Sequence, residues 1–245
     1  MILADEFIML DVSEQFREMF FVVIQLGSIL AVVALYFKRL NPFSTRKDAK
    51  EKRDTWTMWF KVALACVPAG IIGVLFNDEI DTLFFNYTTV AITLIVYGIA
   101  FIIVENRNKN KEFKVSGVGG ITYGAALAIG AFQILALVPG TSRSGATVLG
   151  AMIIGVSRVA AAEFSFFLAI PVMFGASALK LAGFGFGFSG AELTILIVGT
   201  VTAFLVSIVA IRFLLGFIKR NSFKVFGYYR IALGAIVLLF FTFVR

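Results

Sequence analysis

Six apolar runs, each about as long as a membrane is thick, constrain the fold of this chain more than any other feature. The runs cover residues 19–37, 57–76, 87–104, 159–181, 192–218 and 228–244. A helix needs about 20 consecutive apolar residues to cross the hydrocarbon core of a bilayer. Of the 245 residues, 60% are hydrophobic and 15% are charged, a composition that excludes most soluble folds. The sequence therefore predicts an all-α integral membrane protein with six transmembrane helices.

The distribution of basic residues indicates how the helices are oriented. Lysine and arginine gather at 38–54, 107–114, 158 and 219–224, whereas residues 77–86 carry acidic residues and no basic one. Cytoplasmic loops of membrane proteins carry an excess of basic residues. We therefore predict a multi-pass membrane protein with both termini outside. The net charge of +7 arises from these loops and indicates no nucleic-acid partner.

Histidine and cysteine usage excludes several kinds of site. The 245 residues contain no histidine, which excludes histidine nucleophiles, histidine bases and the commonest zinc ligands within them. The single cysteine, Cys66, lies inside an apolar run, so no disulfide framework is expected. Residues 1–18 mix acidic with apolar side chains and lack a positively charged N-terminal region, so they do not have the pattern of a cleaved signal peptide.

Two shorter apolar stretches, 121–138 and 146–156, flank a polar loop at residues 139–145. The second stretch would form a helix of roughly 16 Å, about half the thickness of the hydrocarbon core. A helix that continued through the next apolar run would be far too long for a bilayer. We therefore predict a re-entrant helical hairpin over residues 121–156, which enters from the cytoplasm and returns to it.

The polar loop carries one arginine, Arg143, at the depth where an ionisable side chain costs from ~2.5 to more than ~10 kcal/mol. Nearby hydroxyls and glycines suit an anion: Thr141, Ser142, Ser144 and Thr147, with Gly140 and Gly145. The guanidinium group matches phosphate oxygens, and a helix that starts after the loop offers its N-terminal N–H groups. The loop is thus predicted to bind a phosphate group. The alternative is a turn whose arginine snorkels or forms a structural ion pair.

The number of helices indicates an internal repeat. Three predicted spans precede the hairpin and three come after it, so a second copy would be inverted relative to the first. We predict that residues 1–105 are a truncated first repeat and that residues 115–245 are a second repeat with its re-entrant loop at 139–145. Both would belong to a single membrane domain covering residues 1–245.

The residues around this loop resemble a known family. Residues 136–147 read Ala-Leu-Val-Pro-Gly-Thr-Ser-Arg-Ser-Gly-Ala-Thr, Gln133 precedes them, and Ser157-Arg158 and Ala-Glu-Phe-Ser-Phe at 162–166 come after them. This pattern resembles the undecaprenyl-diphosphate phosphatase family, the bacterial membrane phosphatases associated with bacitracin resistance. Residues 23–27, Val-Ile-Gln-Leu-Gly, are also similar to it, so the resemblance covers nearly the whole chain.

The resemblance implies a bacterial inner-membrane enzyme that hydrolyses undecaprenyl diphosphate to undecaprenyl phosphate and inorganic phosphate, assisted by Mg²⁺ or Ca²⁺. This reaction would recycle the lipid carrier for peptidoglycan and cell-wall synthesis. It implies catalytic roles for Arg143, Ser142 and Ser144. Substrate-binding roles are implied for Gly140, Thr141, Gly145, Thr147 and Gln133. Glu163 would be a metal ligand or base, or would simply pair with Arg158. The expected partners are a polyprenyl diphosphate lipid, membrane lipids and, as a homodimer, a second copy of the chain.

One departure from the family pattern leaves the function open. Family members begin with a segment that carries a Glu/Gln-x-x-x-Glu motif and a Pro-Val-Ser-Ser-Thr-Gly-His motif, and Met1-Ile-Leu-Ala resembles the residues directly after that histidine. We expect a start assigned too late; a real truncation is the alternative. The competing functions are lipid-phosphate binding or flipping without hydrolysis, and an inactive truncated copy.

Overall fold

A computed structural model of the chain describes residues 12–109, 111–185 and 187–243. The α-helices are α1 (Glu14–Val23), α2 (Gln25–Leu35), α3 (Phe37–Leu40), α4 (Ala49–Phe84), α5 (Tyr87–Asn108), α6 (Tyr123–Ile134), α7 (Arg143–Ile153), α8 (Arg158–Phe184), α9 (Gly190–Arg220) and α10 (Lys224–Phe243). Two 3₁₀ turns, Val118–Gly120 and Leu135–Leu137, flank α6. Within these three ranges the protein is all-α.

Six helical segments are long and apolar enough to span a membrane, which confirms the predicted integral membrane protein. They are Glu14–Leu35, Ala49–Phe76, Tyr87–Asn108, Arg158–Phe184, Gly190–Arg220 and Lys224–Phe243. The second begins well before the predicted residue 57, because the charged end of the basic loop continues the helix into water. Its apolar part ends at a kink at Phe76, where φ is −129° and ψ is 18°.

The described chain forms two compact units. One contains the residues up to Arg46 together with Ala169–Leu214, and the other contains Lys47–Leu168 together with the residues from Leu215 onward. Each unit takes its helices from both of the predicted repeats. The repeat boundary near residue 110 therefore stays a prediction.

The first unit packs α1 and α2 against the end of α8 and against α9. Its buried centre consists of Phe16, Met19, Phe20 and Val23, packed with Phe184, Phe188, Ile195 and Leu196. Gly27 lies directly against the backbone of Thr200, and Ser207 Oγ donates to Ser28 Oγ at 2.8 Å. Small residues and hydroxyl pairs of this kind allow helices to approach closely in a bilayer.

In the second unit, α5 and α10 pack closely along their length. A Cβ added to Gly98 would lie 2.7 Å from the Gly227 carbonyl oxygen, and one added to Gly234 would lie 2.8 Å from the Ala91 carbonyl oxygen. Gly227 and Gly234 are seven residues apart on α10, as are Ala91 and Gly98 on α5, so the same contact repeats two turns further along each helix. The α5–α10 pair therefore forms a close-packed frame beside the hairpin.

The predicted hairpin of residues 121–156 is confirmed as α6 and α7, joined through the polar loop. Ser157 N donates to Val115 O at 2.8 Å, and Val115 N donates to Gly155 O at 3.3 Å. The Ser157 hydroxyl also donates to Ser116 O at 3.1 Å. The two ends of the hairpin thus lie side by side, as a re-entrant hairpin requires.

A buried ion pair fixes the base of the hairpin. Glu105, at the end of α5, is 1% exposed. Its carboxylate accepts hydrogen bonds from Arg158 Nε at 2.7 Å, from Arg158 Nη2 at 2.6 Å and from Phe223 N at 3.0 Å. Nearby, Asn108 Nδ2 donates to Met152 O at 3.1 Å. The end of α5 therefore holds the end of α7 and the starts of α8 and α10 together.

Candidate active site

Three consecutive carbonyl groups of the polar loop are bound by side chains of the α5–α10 frame. Thr93 Oγ1 on α5 donates to Pro139 O at 2.8 Å. Arg230 Nη2 on α10 donates to Gly140 O at 2.8 Å and to Thr141 O at 3.0 Å. The C=O and the next N–H of a trans peptide point in opposite directions. The N–H groups next to these carbonyls therefore point away from the frame.

The backbone of the loop adopts two unusual conformations. Gly140 has φ +86°, and a Cβ there would lie 2.6 Å from Val90 O and would overlap the Thr93 side chain. Only glycine fits this position without strain. Ser142, which does carry a Cβ, has φ 61° and ψ 118°. Strained residues of this kind cluster at functional sites, where the surrounding structure holds them.

The loop ends at the N-terminus of α7, which begins at Arg143. Ser142 Oγ caps the helix by accepting from Gly145 N at 3.3 Å, and it lies 3.3 Å from Ser144 Oγ. Both serine side chains are exposed. The first N–H groups of a helix have no partner within it, and the helix dipole favours an anion at this end. The exposed serines therefore stand where an anion would bind.

Two polar side chains at this loop have buried atoms without a hydrogen-bond partner in the part of the chain that the structure describes. These atoms are Arg143 Nη1 and Gln133 Oε1. Gln133 is 4% exposed and lies at the end of α6. Cys66 on α4 lies near the Arg143 guanidinium. Buried polar groups in native proteins are normally paired, so these atoms indicate a ligand.

Arg230 is the site residue that sequence reasoning missed. Its Nη1 lies 3.2 Å from the position that a Gly145 Cβ would take, so it reaches the start of α7. Its guanidinium carbon lies 5.7 Å from the centre of the Tyr97 ring, and its Nε has no partner among the described residues. The available signal was an ionisable residue inside an apolar run, which Arg230 shares with Lys61, Lys180 and Arg212.

The chain matches the family described as bacitracin resistance protein BacA over residues 1–236. It belongs to this family. It is 59% identical to an undecaprenyl-diphosphatase of Desulfitobacterium hafniense, over 99% of this chain and 87% of that protein. It is 62% identical to one of Acetivibrio thermocellus, over 100% of this chain and 90% of that protein, and 59% identical to one of Enterococcus faecalis, over 99% and 89%. The resemblance drawn from the motif around Arg143 is confirmed.

Two of the predicted phosphate ligands of this BacA family member have their hydroxyl groups engaged elsewhere. Thr147 is 1% exposed. Its Oγ1 lies 2.7 Å from Ser165 Oγ on α8, 3.1 Å from Arg143 O and 3.2 Å from Ser144 O. The side chain of Thr141 is buried and lies beside the Tyr97 hydroxyl. The structure thus places both hydroxyls in helix contacts, whereas Ser142 and Ser144 lie open.

The predicted metal site is not found among the described residues. Among residues 12–109, 111–185 and 187–243, no three His, Cys, Asp or Glu side chains form a group that could hold a metal ion. Mg²⁺ and Ca²⁺ prefer oxygen ligands, several of them carboxylates. The residues in these ranges do not by themselves fit such an ion. Glu163 lies half-buried near the start of α8, and its role as base or metal ligand stays a prediction.

Proposed function

We propose that this BacA family member hydrolyses undecaprenyl diphosphate to undecaprenyl phosphate and inorganic phosphate. The observation that carries the proposal is the pair of guanidinium groups, Arg143 and Arg230, at the N-terminus of α7. Each has a buried nitrogen without a partner, and no ion pair joins either to a carboxylate of the described chain. Arginine forks match phosphate oxygens. The diphosphate group of the lipid would supply the negative counter-charge for these two arginines.

The arrangement suits phosphoryl transfer. In the reaction, a water oxygen bonds to the terminal phosphorus and the bond from that phosphorus to the bridging oxygen breaks. The lipid monophosphate leaves with the electron pair of that bond, and the proton lost by the water passes to a phosphate product or to solvent. Such reactions depend mostly on positioning and on neutralising the charge of the oxygens. We assign the charge neutralisation to Arg143 and Arg230, and the hydrogen bonds to the terminal phosphate to Ser142, Ser144 and the first N–H groups of α7. Gln133 would line the same site from α6.

The relatives support this choice of substrate. Proteins 59–62% identical to this chain over nearly all of its length are named undecaprenyl-diphosphatases. We infer that the product returns to the lipid carrier pool for peptidoglycan and cell-wall synthesis. We also infer an inner-membrane location from the family resemblance, and we place the acidic segment 77–86 outside on the charge distribution of the loops.

We propose further that phosphate release requires Mg²⁺ or Ca²⁺, as the family pattern implies. A chelator titration tests this directly. We expect phosphate release to fall to background with chelator and to return when either ion is added in excess. Full activity in chelator would remove the cation from the proposal.

The experiment that tests the function is phosphate release from undecaprenyl diphosphate by the purified chain. We expect Arg143→Ala to lower the rate by at least ~100-fold, because the loss of a charge-assisted fork costs several kcal/mol at a buried site. The matched control is Arg212→Ala, since Arg212 is an exposed arginine on α9. Near-normal turnover by Arg143→Ala would contradict the proposal. Movement of labelled lipid diphosphate across vesicles without phosphate release would favour a transport protein instead.

A further inference from the structure

Thr93 makes a contact outside its own helix that none of the proposed catalytic roles explains. Its Oγ1 lies 2.8 Å from Pro139 O, 2.9 Å from Thr89 O and 3.0 Å from Val90 O. A hydroxyl group has only one proton to donate. The carbonyls of Thr89 and Val90 already accept N–H groups of α5, as in any helix. The Pro139 carbonyl lies outside any helix, so it is the acceptor that depends on Thr93.

The bound carbonyl sets the orientation of the first peptide of the loop. Because the Pro139–Gly140 peptide is trans, fixing Pro139 O towards α5 directs the Gly140 N–H to the opposite side. The absence of a side chain at Gly140 allows this close approach, since a Cβ there would overlap the Thr93 side chain. The loop therefore rests on α5 at Thr93.

The next turn of α5 contacts the same loop. Tyr97, four residues after Thr93, lies beside the Thr141 side chain. Its ring also lies under the Arg230 guanidinium, at 5.7 Å. The i and i+4 positions share one face of a helix. This face of α5 therefore supports the loop at two successive turns.

We propose that Thr93 is a positioning residue for the phosphate site, whose hydroxyl holds the Pro139 carbonyl so that the Gly140 N–H faces the bound diphosphate. The proposal rests on the proposed function, because it assigns a ligand to that N–H group. Thr93 touches no reacting atom in this scheme. It acts by keeping one donor aimed before the substrate arrives, which is how preorganised sites stabilise developing charge.

Three variants test the proposal in the full chain. Thr93→Val keeps the shape of the side chain and removes the hydroxyl, whereas Thr93→Ser keeps the hydroxyl. Thr88→Val is the matched control, since Thr88 is exposed on the same helix. We would measure kcat and KM for phosphate release from undecaprenyl diphosphate, the dissociation constant of inorganic pyrophosphate, and the midpoint of thermal unfolding in detergent.

We expect Thr93→Val to lower kcat/KM and to weaken pyrophosphate binding by about tenfold each, the typical effect of one charge-assisted hydrogen bond. Thr93→Ser and Thr88→Val should stay within about twofold of the parent chain. A Thr93→Val chain within twofold of the parent overturns the proposal. A Thr93→Ser chain as impaired as Thr93→Val also overturns it, because the hydroxyl would then not be the cause.

The pyrophosphate measurement separates this proposal from the function on which it rests. A parent chain that binds pyrophosphate but releases no phosphate contradicts the hydrolase. In that case the role proposed for Thr93 is still tested by pyrophosphate binding, which Thr93→Val should weaken and Thr93→Ser should not. A parent chain that neither binds pyrophosphate nor releases phosphate overturns both. Equal thermal midpoints for the three variants are expected, and a lower midpoint confined to Thr93→Val assigns Thr93 to stability instead.

Discussion

Arg230 both binds loop carbonyls and brings a positive charge to the start of α7, and two substitutions separate these contributions. Arg230→Lys keeps the charge and loses the planar fork, whereas Arg230→Gln keeps an N–H donor for Gly140 O and loses the charge. We expect kcat/KM to fall about tenfold in the lysine variant and about 100-fold or more in the glutamine variant.

The measurement is phosphate release from undecaprenyl diphosphate, with Arg212→Lys and Arg212→Gln as matched controls on exposed surface. If the glutamine variant retained more activity than the lysine variant, binding of the loop carbonyls, and not charge, would be the main contribution of Arg230.

Gly140 tests whether the loop geometry is as tightly determined as its contacts indicate. In Gly140→Ala the new Cβ would lie 2.6 Å from Val90 O at a φ of +86°, so the loop must move away from α5. We expect kcat/KM to fall more than tenfold, since small misplacements of catalytic groups have effects of this size. The control is Gly183→Ala, where nothing lies within 4 Å of the added Cβ. Parent-like activity of Gly140→Ala would mean that the loop tolerates displacement.

At the scale of single residues, the sequence identifies an ionisable side chain that lies among apolar ones. It does not show which face of a helix meets its neighbour, and so it misses the contacts that depend on that face. Arg143 stands out because an arginine between two apolar helices needs a partner or a ligand. Arg230 lies near the start of the last apolar run, and an arginine at such a position is expected to extend its side chain to the membrane interface. The engagement of Thr147 with Ser165 depends on which face of α7 meets α8, and the spacing of the motif does not fix that face.

The hairpin is the element that lengths alone predict best. Residues 146–156 are too few to cross a bilayer, and the polar loop at 139–145 separates them from the preceding helix, so the chain must turn back. The contacts that hold the hairpin were not predictable. Glu105 and Arg158 are separated by 53 residues of sequence, and their pairing depends on the packing of α5 beside α8.

That pairing predicts a large effect on stability. In Glu105→Ala the buried Phe223 N–H and the Arg158 guanidinium, whose side chain is 29% exposed, would lose their acceptor. Removal of one partner of a fully buried pair typically costs about 3–5 kcal/mol, and the exposure of Arg158 places the expected cost at the lower end of that range. Glu105→Gln keeps an acceptor oxygen and should cost less. We expect the midpoint of denaturant unfolding in detergent to fall in the order parent, glutamine variant, alanine variant.

Glu112→Ala provides the matched control, because Glu112 is an exposed carboxylate shortly after the same helix. Unfolding midpoints for Glu105→Ala and Glu112→Ala that both match the parent would mean that the ion pair contributes nothing net. Its charge attraction would then only balance the cost of desolvating both groups.

For the whole molecule, hydropathy identifies six spans because a bilayer demands runs of that length, and all six appear as helices. Helix ends were less predictable, since charged segments such as the start of α4 continue a helix into water. Orientation rests on a different property, the distribution of lysine and arginine among the loops. It therefore calls for its own measurement.

Cysteine labelling tests the predicted orientation, and the single natural cysteine makes the design simple. In a Cys66→Ala background, a cysteine is placed either at Thr45, an exposed residue of the basic loop, or at Phe85, which is 63% exposed between α4 and α5. With both termini outside, a membrane-impermeant maleimide should label Phe85→Cys in intact cells. It should label Thr45→Cys only after the membrane is opened, because one span separates the two positions. Labelling of Thr45→Cys alone in intact cells would mean that the chain is inserted in the opposite orientation, and the polar loop with Arg143 would then enter the membrane from outside.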